Sequence, residues 1–181
     1  MTDDESRNAL STSASTPAAS TSTASTPRTA ATVSAEPLSL AALRDRAEIE
    51  DLISRLGSCL DEHRFDDLRS LFVEDASAST QGGVATGREA VVAQATRNHG
   101  EFEKLQHTIA NVLIDLDGDR AEVRANMIAA LVRTGLRPDL AFGGVYTFGL
   151  VRTAAGWRFA RLAVRQVWRA EEATALQPAA S

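Results

Sequence analysis

The 181-residue sequence has little cysteine, few aromatic residues and no long apolar run. Cys59 is the only cysteine, so no intramolecular disulfide can form, and we expect a reducing, cytoplasmic location. No run of 18 apolar residues occurs, which argues against a transmembrane helix. The acidic first residues lack the apolar core of a secretory signal, so none is predicted. These absences favour a cytoplasmic protein with no membrane partner.

The sequence also lacks an excess of basic charge. Its net charge is −5, and residues 38–171 hold 17 basic against 19 acidic groups. A domain this close to neutral has no electrostatic attraction for nucleic acid or anionic membranes, so neither partner is expected. The three histidines lack the paired spacing of a zinc site, and no glycine-rich phosphate loop follows a predicted strand. We therefore expect neither a metal nor a cofactor.

The two ends of the chain differ in composition from its middle. Of the first 37 residues, 27 are Ser, Thr, Ala or Pro, and none is aromatic. Such a segment cannot bury enough apolar surface to offset its ordering entropy. We predict a disordered tail over 1–37, with a partner-binding or phosphorylated arm as the alternative, and a frayed C-terminus over 172–181. One domain is expected over 38–171.

The middle of the chain begins with helical periodicity. Apolar residues recur at steps of three and four and predict a helix ending near residues 61–63: Ile49, Leu52, Ile53, Leu56 and Leu60. A short helix is predicted over Phe65–Leu71. A third is expected from Arg88 to about His99, with Gly100 as its stop.

The period then changes to two, which is typical of strands. Four strands of an antiparallel meander are predicted: Leu105–Leu116, Arg120–Val132, Ala141–Arg152 and Trp157–Trp168. Helices followed by such a meander indicate an α+β class, with helices on one face of a curved sheet and a pocket between them. Strands this long need bulges, for which the glycines of the third strand are suitable places: Gly143, Gly144 and Gly149.

This order resembles the SnoaL-like branch of the nuclear transport factor 2-like superfamily, a cone-shaped α+β fold. The similar segments span about 38–169: Leu71–Ala76 ("LFVEDA"), Gly87–Ala90 ("GREA"), His107–Asn111 ("HTIAN") and Gly156–Phe159 ("GWRF"). The resemblance implies helices packed on a curved antiparallel sheet. It does not imply one activity, because this fold carries dehydratases, isomerases, cyclases, hydrolases and non-catalytic modules.

His107 and Asp61 are the candidate catalytic residues. His107 alternates with Ile109, Asn111 and Leu113, so we expect these four side chains on one strand face. A neutral histidine there could take a proton from a carbon next to a carbonyl, or return one to a leaving hydroxyl. The alternatives are a structural histidine at 107 and a solvated carboxylate at 61. The resemblance implies that the aspartate pairs with the strand histidine.

Five further residues are candidates for substrate binding. Tyr146, the only tyrosine, could donate a hydrogen bond to a substrate carbonyl or simply form part of the wall. Asn111 could hold a ligand carbonyl, and Met127 and Trp168 are wall candidates. Leu56 stands where dehydratase-type relatives carry a tyrosine, so a tyrosine-assisted elimination is doubtful.

We therefore expect a cofactor-free acid–base enzyme, a dehydratase, isomerase or cyclase, acting on a hydrophobic oxygenated small molecule such as a polyketide-type intermediate. The alternative is a non-catalytic small-molecule-binding or assembly module of the same fold. A homodimer or higher homo-oligomer is expected, because the exposed side of such a sheet often pairs with a second copy.

Overall fold

The computed structural model of the protein describes residues 39–171, and the predictions for 1–37 and 172–181 lie outside the described residues. Helix α1 spans Leu40–Asp61, and its first turn is capped by the Ser39 hydroxyl, which accepts a hydrogen bond from the Ala42 amide at 3.1 Å. A short 3-10 helix follows at Phe65–Ser70, and helix α2 spans Arg88–His99. All three helices stand where the periodicity predicts them. Within the described residues, no helix is long and apolar enough to cross a membrane.

Six strands form one mixed sheet. Their bounds are β1 Phe72–Thr80, β2 Gly83–Thr86, β3 Lys104–Asp117, β4 Arg120–Val132, β5 Leu140–Thr153 and β6 Gly156–Glu171. The spatial order is β2-β1-β6-β5-β4-β3, with only β1 and β6 parallel. The predicted meander corresponds to β3–β6, and the α+β class is confirmed. Strands β1 and β2 were not predicted, because their sequences contain several residue types that are depleted in strands, namely Ala, Gly, Asp and Glu.

The pairing of β5 with β6 shifts register twice, once between Gly143 and Gly144 and once between Gly149 and Leu150. Ala160 and Val167 of β6 are left unpaired at these two bulges. Each bulge bends the sheet and reverses which residues face the core. Both extra residues belong to β6, so the bulges lie opposite the glycines of β5 and not within the glycine-rich strand where the sequence predicts them.

The buried stripe of α1 packs on the concave face of the sheet. Beneath it lie the rings of Phe72, Phe148 and Phe159, with centroids 5.1–5.2 Å apart along the row. Each such fully buried side chain contributes roughly 1.5–3 kcal/mol relative to exposure. The core therefore fixes the helix axis over the sheet.

Polar contacts also anchor the N-terminal half of α1. The Asp45 carboxylate accepts two hydrogen bonds from the Arg152 guanidinium, both at 2.7 Å, and one from the Trp157 indole at 3.1 Å. These donors, Arg152 above all, lower the pKa of Asp45. Further along the helix, Gly57 faces Ile109 of β3, and a Cβ at position 57 would make an ordinary contact of 3.8 Å with it. The C-terminal half of α1 therefore packs against β3.

Candidate active site

Asp61, the last residue of α1, meets His107 of β3. Its Oδ1 atom lies 2.6 Å from the His107 Nδ1 atom, and both carboxylate oxygens accept from the His107 backbone amide at 3.0 Å. The His107 side chain is 1% exposed and that of Asp61 is 26% exposed. The carboxylate thus fixes both the backbone and the ring of the histidine.

This contact determines the tautomer of His107. A carboxylate can only accept, so the proton of a neutral ring lies on Nδ1 and the lone pair on Nε2. None of the residues 39–171 hydrogen bonds to Nε2, and the ring lines a cavity. A ring that lines a cavity, with a lone pair on Nε2 and a carboxylate at Nδ1, is suited to accept a proton, because the carboxylate stabilises the resulting imidazolium.

The cavity has a volume of about 370 Å³ and lies between the concave face of the sheet and the C-terminal end of α2. Its buried wall is mainly apolar and aromatic, and includes Phe102, Met127, Leu131 and Tyr146. The exposed lining residues are polar or charged and mark the opening: Gln81, Arg97, Glu101, Arg133 and Arg169. An apolar interior with a few convergent polar groups is typical of a small-molecule site.

Tyr146 is 4% exposed and lies on the same cavity wall. Its ring stacks on Phe148, with centroids 4.9 Å apart. Burial raises the pKa of its phenol above the usual range, and the negative charge of Asp61 raises it further. Tyr146 therefore stays a neutral hydroxyl, able to donate a hydrogen bond to an oxygen of a bound molecule.

Two comparisons relate the chain to known proteins. The model of the SnoaL-like domain family matches residues 41–163. The chain belongs to the SnoaL-like domain family. Protein Rv2910c of Mycobacterium tuberculosis H37Rv is 35% identical over 128 residues, which is 68% of this chain and 86% of that relative.

Solved structures show the same architecture. A scytalone dehydratase-like protein from Novosphingobium aromaticivorans superposes with a TM-score of 0.66 at 28% identity, over 71% of this chain and 88% of that one. Hexachlorocyclohexane dehydrochlorinase LinA-type3 from Novosphingobium barchaimii gives 0.62 at 20% identity, over 73% and 92%. The second likeness concerns the fold alone.

A second histidine of this SnoaL-like domain, His99, lies beside the pair and was missed by the sequence reasoning, which considered it only as a zinc ligand. Its ring centroid is 5.4 Å from that of His107, and it lines the cavity. Its Nδ1 atom lies 2.8 Å from the Ala95 carbonyl, which can only accept, so Nε2 carries the lone pair. Burial lowers the pKa of His99 to about 4. The signal was available, since Val91, Ala95 and His99 recur at steps of four on one helix face.

Leu56 and Met127 line two different cavities. Met127 lines the main cavity. Leu56 lines a smaller apolar space of about 60 Å³ that is bordered by Tyr146 and His99. The position that carries a tyrosine in dehydratase-type relatives thus contributes only apolar surface here.

Asn111 and Trp168 do not line either of these spaces, and bulges are the reason. Strand β3 shifts register between Ala110 and Leu113, and Asn111 adopts φ 53° there. Asn111 and Leu113 are therefore exposed, and the expectation that they share a face with His107 is wrong. Trp168 follows the bulge at Val167 and is 44% exposed, its indole lying where a side chain at Gly143 would be.

The described residues contain no group of three His, Cys, Asp or Glu side chains close enough to hold a metal ion. His63, the third histidine, contacts the Phe102 carbonyl at 2.8 Å through Nε2.

Proposed function

We propose that this SnoaL-like protein is a cofactor-free acid–base enzyme of the dehydratase, isomerase or cyclase type. Its substrate is a hydrophobic oxygenated small molecule bound in the 370 Å³ cavity. The observation that carries the proposal is the Asp61–His107 pair, in which a buried ring with a fixed tautomer lines that cavity.

In the proposed reaction, the Nε2 lone pair of His107 removes a proton from a carbon next to a carbonyl group. The C–H electron pair becomes an enolate, and Asp61 stabilises the imidazolium that forms. In a dehydration, the enolate re-forms the carbonyl, the bond to the β-hydroxyl breaks, and His107 returns the proton so that water leaves. In an isomerisation, the proton returns to another carbon. General acid–base catalysis of this kind contributes typically about 10²–10⁴-fold.

Two neighbours support the enolate. Tyr146 is a neutral hydroxyl on the same wall and can donate to the developing oxyanion. His99 is neutral at pH 7, because the pKa of its ring is about 4, so it does not repel the imidazolium at His107. The scytalone dehydratase-like neighbour supports the same direction, since its name denotes loss of water.

A non-catalytic binding module of the same fold is the second candidate, and Leu56 favours it. The apolar side chain there supplies no hydroxyl to assist a leaving group. The two candidates differ in what they require of His107. The enzyme needs His107 to accept and return a proton, whereas the binding module does not.

The test replaces His107 with Gln, which keeps a polar side chain of similar size but removes the base. Wild type, His107→Gln and the control His63→Gln are incubated with aromatic β-hydroxy ketones in D₂O. Enone absorbance and deuterium uptake at the α-carbon are followed. We expect turnover to fall about 100-fold or more in His107→Gln and to stay near wild type in His63→Gln. Wild-type turnover by His107→Gln contradicts the proposal and leaves the binding module.

A further inference from the structure

The opening of the cavity is basic, although the chain as a whole is acidic. Its lining includes three arginines and one carboxylate: Arg97, Arg133, Arg169 and Glu101. The chain carries a net charge of −5. A local positive charge at the mouth of an apolar cavity attracts anions from solution and raises their local concentration.

The charge of Arg133 is balanced by its neighbours. Its Nη2 atom lies 3.3 Å from Glu101, its Nη1 atom lies 3.9 Å from Asp139, and its guanidinium stacks over the Phe102 ring at 4.7 Å. Arg97, on the last turn of α2, forms no ion pair with any residue in the part of the chain that the structure describes. Arg97 is thus a cavity guanidinium without an opposing carboxylate among residues 39–171.

Arg169 brings a second guanidinium from β6. Its alignment with the catalytic pair follows from the strand register, which places four residues in one cross-strand row: His107, Ala129, Phe142 and Arg169. Adjacent strands lie about 4.8 Å apart, so the row spans about 14 Å between the Cα atoms of its ends. Both end residues line the same cavity. A ligand of one or two rings can therefore reach His107 at one end and Arg169 at the other.

We propose that Arg97 and Arg169 bind a carboxylate of the substrate, which places the substrate among aromatic or alicyclic carboxylic acids. This proposal rests on the function proposed above and adds the chemical class of the molecule. Guanidinium groups suit the role, because their fork of N–H donors matches a carboxylate in two parallel hydrogen bonds. Arg169 has other contacts, and a guanidinium offers five N–H donors in all.

The test compares binding of 1-naphthoate with that of its uncharged amide, 1-naphthamide, by isothermal titration calorimetry. Wild type should bind the carboxylate about tenfold more tightly than the amide, because a charge-assisted hydrogen bond contributes that much. Arg97→Gln and Arg169→Gln should each remove most of this preference and leave the amide unaffected. Arg165→Gln is the control, since Arg165 is an exposed residue of the same strand that does not line the cavity.

Equal affinity for the two ligands in wild type, no binding of 1-naphthoate, or unchanged preference in both arginine variants overturns the proposal. Its failure is distinct from failure of the enzymatic proposal. The carboxylate preference is measured without turnover, and His107→Gln should retain it. A protein that prefers 1-naphthoate but shows no dependence on His107 in the ketone assay keeps the carboxylate site and loses the acid–base mechanism.

Discussion

The two halves of α1 each contact the sheet through a carboxylate, yet the two contacts differ in what they can do. Asp45 and Asp61 are 16 residues apart, which is about 24 Å along the helix axis. Asp45 accepts from Arg152, and Asp61 accepts from His107. Arginine stays protonated at every physiological pH, whereas imidazole can gain and lose a proton. The same type of contact therefore anchors the helix at one end and can support chemistry at the other.

The largest expected effect is a difference in activity between variants at the two ends of α1. Asp61→Asn should lower kcat about 10²–10⁴-fold, because the amide no longer holds His107 in the correct tautomer or stabilises its protonated form. Asp45→Asn should leave kcat within about twofold of the wild-type value, provided that the assay is run below the unfolding temperature of the variant. Steady-state kinetics on the two variants checks this. Similar losses of kcat in both would show that the ends of α1 do not differ in function.

The second expected effect is a pH dependence of stability near the Asp61 end of α1. His99 has a pKa of about 4 in the folded protein and about 6.5 when unfolded, because burial disfavours its charged form. The unfolded state then binds more protons, so stability is complete above pH 6.5 and is lost as the pH falls towards 4. The loss due to His99 is of the order of 3 kcal/mol.

Urea unfolding of wild type and His99→Gln between pH 4 and 7 measures this contribution. The variant should show a shallower dependence of unfolding free energy on pH in that range. Parallel curves for the two proteins would mean that the buried ring does not carry the effect.

The third expected effect is a loss of stability when the carboxylate of Asp45, in the N-terminal half of α1, is removed. Asp45→Ala should lower the free energy of unfolding by roughly 1–3 kcal/mol, because it leaves the Nη1 and Nη2 atoms of Arg152 and the buried indole N–H of Trp157 without their acceptor. Chemical denaturation monitored by circular dichroism measures the loss. An unchanged midpoint would mean that core packing alone holds the N-terminal half of α1.

The smallest expected effect is the loss of an exposed ion pair, which serves as a reference for the contact of Asp45. Asp51 and Arg55 form an ion pair on the exposed face of α1, with side chains 61% and 64% exposed. Asp51→Asn should change the free energy of unfolding by under about 0.5 kcal/mol, because water and salt screen such pairs. The same denaturation assay applies, and a loss as large as that of Asp45→Ala would remove the contrast between buried and exposed carboxylates.

Local features of this fold could be predicted from the sequence, and features set by pairing could not. The apolar stripe of α1 and the Asp117–Asp119 turn are encoded in neighbouring residues, so the helix and the hairpin stand where expected. Asp61 and His107 were expected to meet because of the family resemblance. Spacing alone does not bring residues 46 positions apart into contact.

Bulges explain most of the errors at the site. One extra residue in β3 turns Asn111 away from the cavity, and one in β6 does the same to Trp168. A single inserted residue reverses strand alternation without changing composition, so no local pattern shows it. His99 was missed for another reason. Its place on one helix face with Val91 and Ala95 could be read from the sequence, but its contact with His107 depends on how α2 packs against the sheet.

The two tryptophans occupy different surroundings, and this gives the protein two internal optical probes. Trp157 is 2% exposed beneath the Arg152 guanidinium, whereas Trp168 is 44% exposed over Gly143. Dissolved iodide should quench the emission of Trp168 and spare that of Trp157. With Trp168 replaced by Phe, the remaining emission reports on the anchored end of α1 alone, so its release can be followed separately from unfolding of the whole sheet.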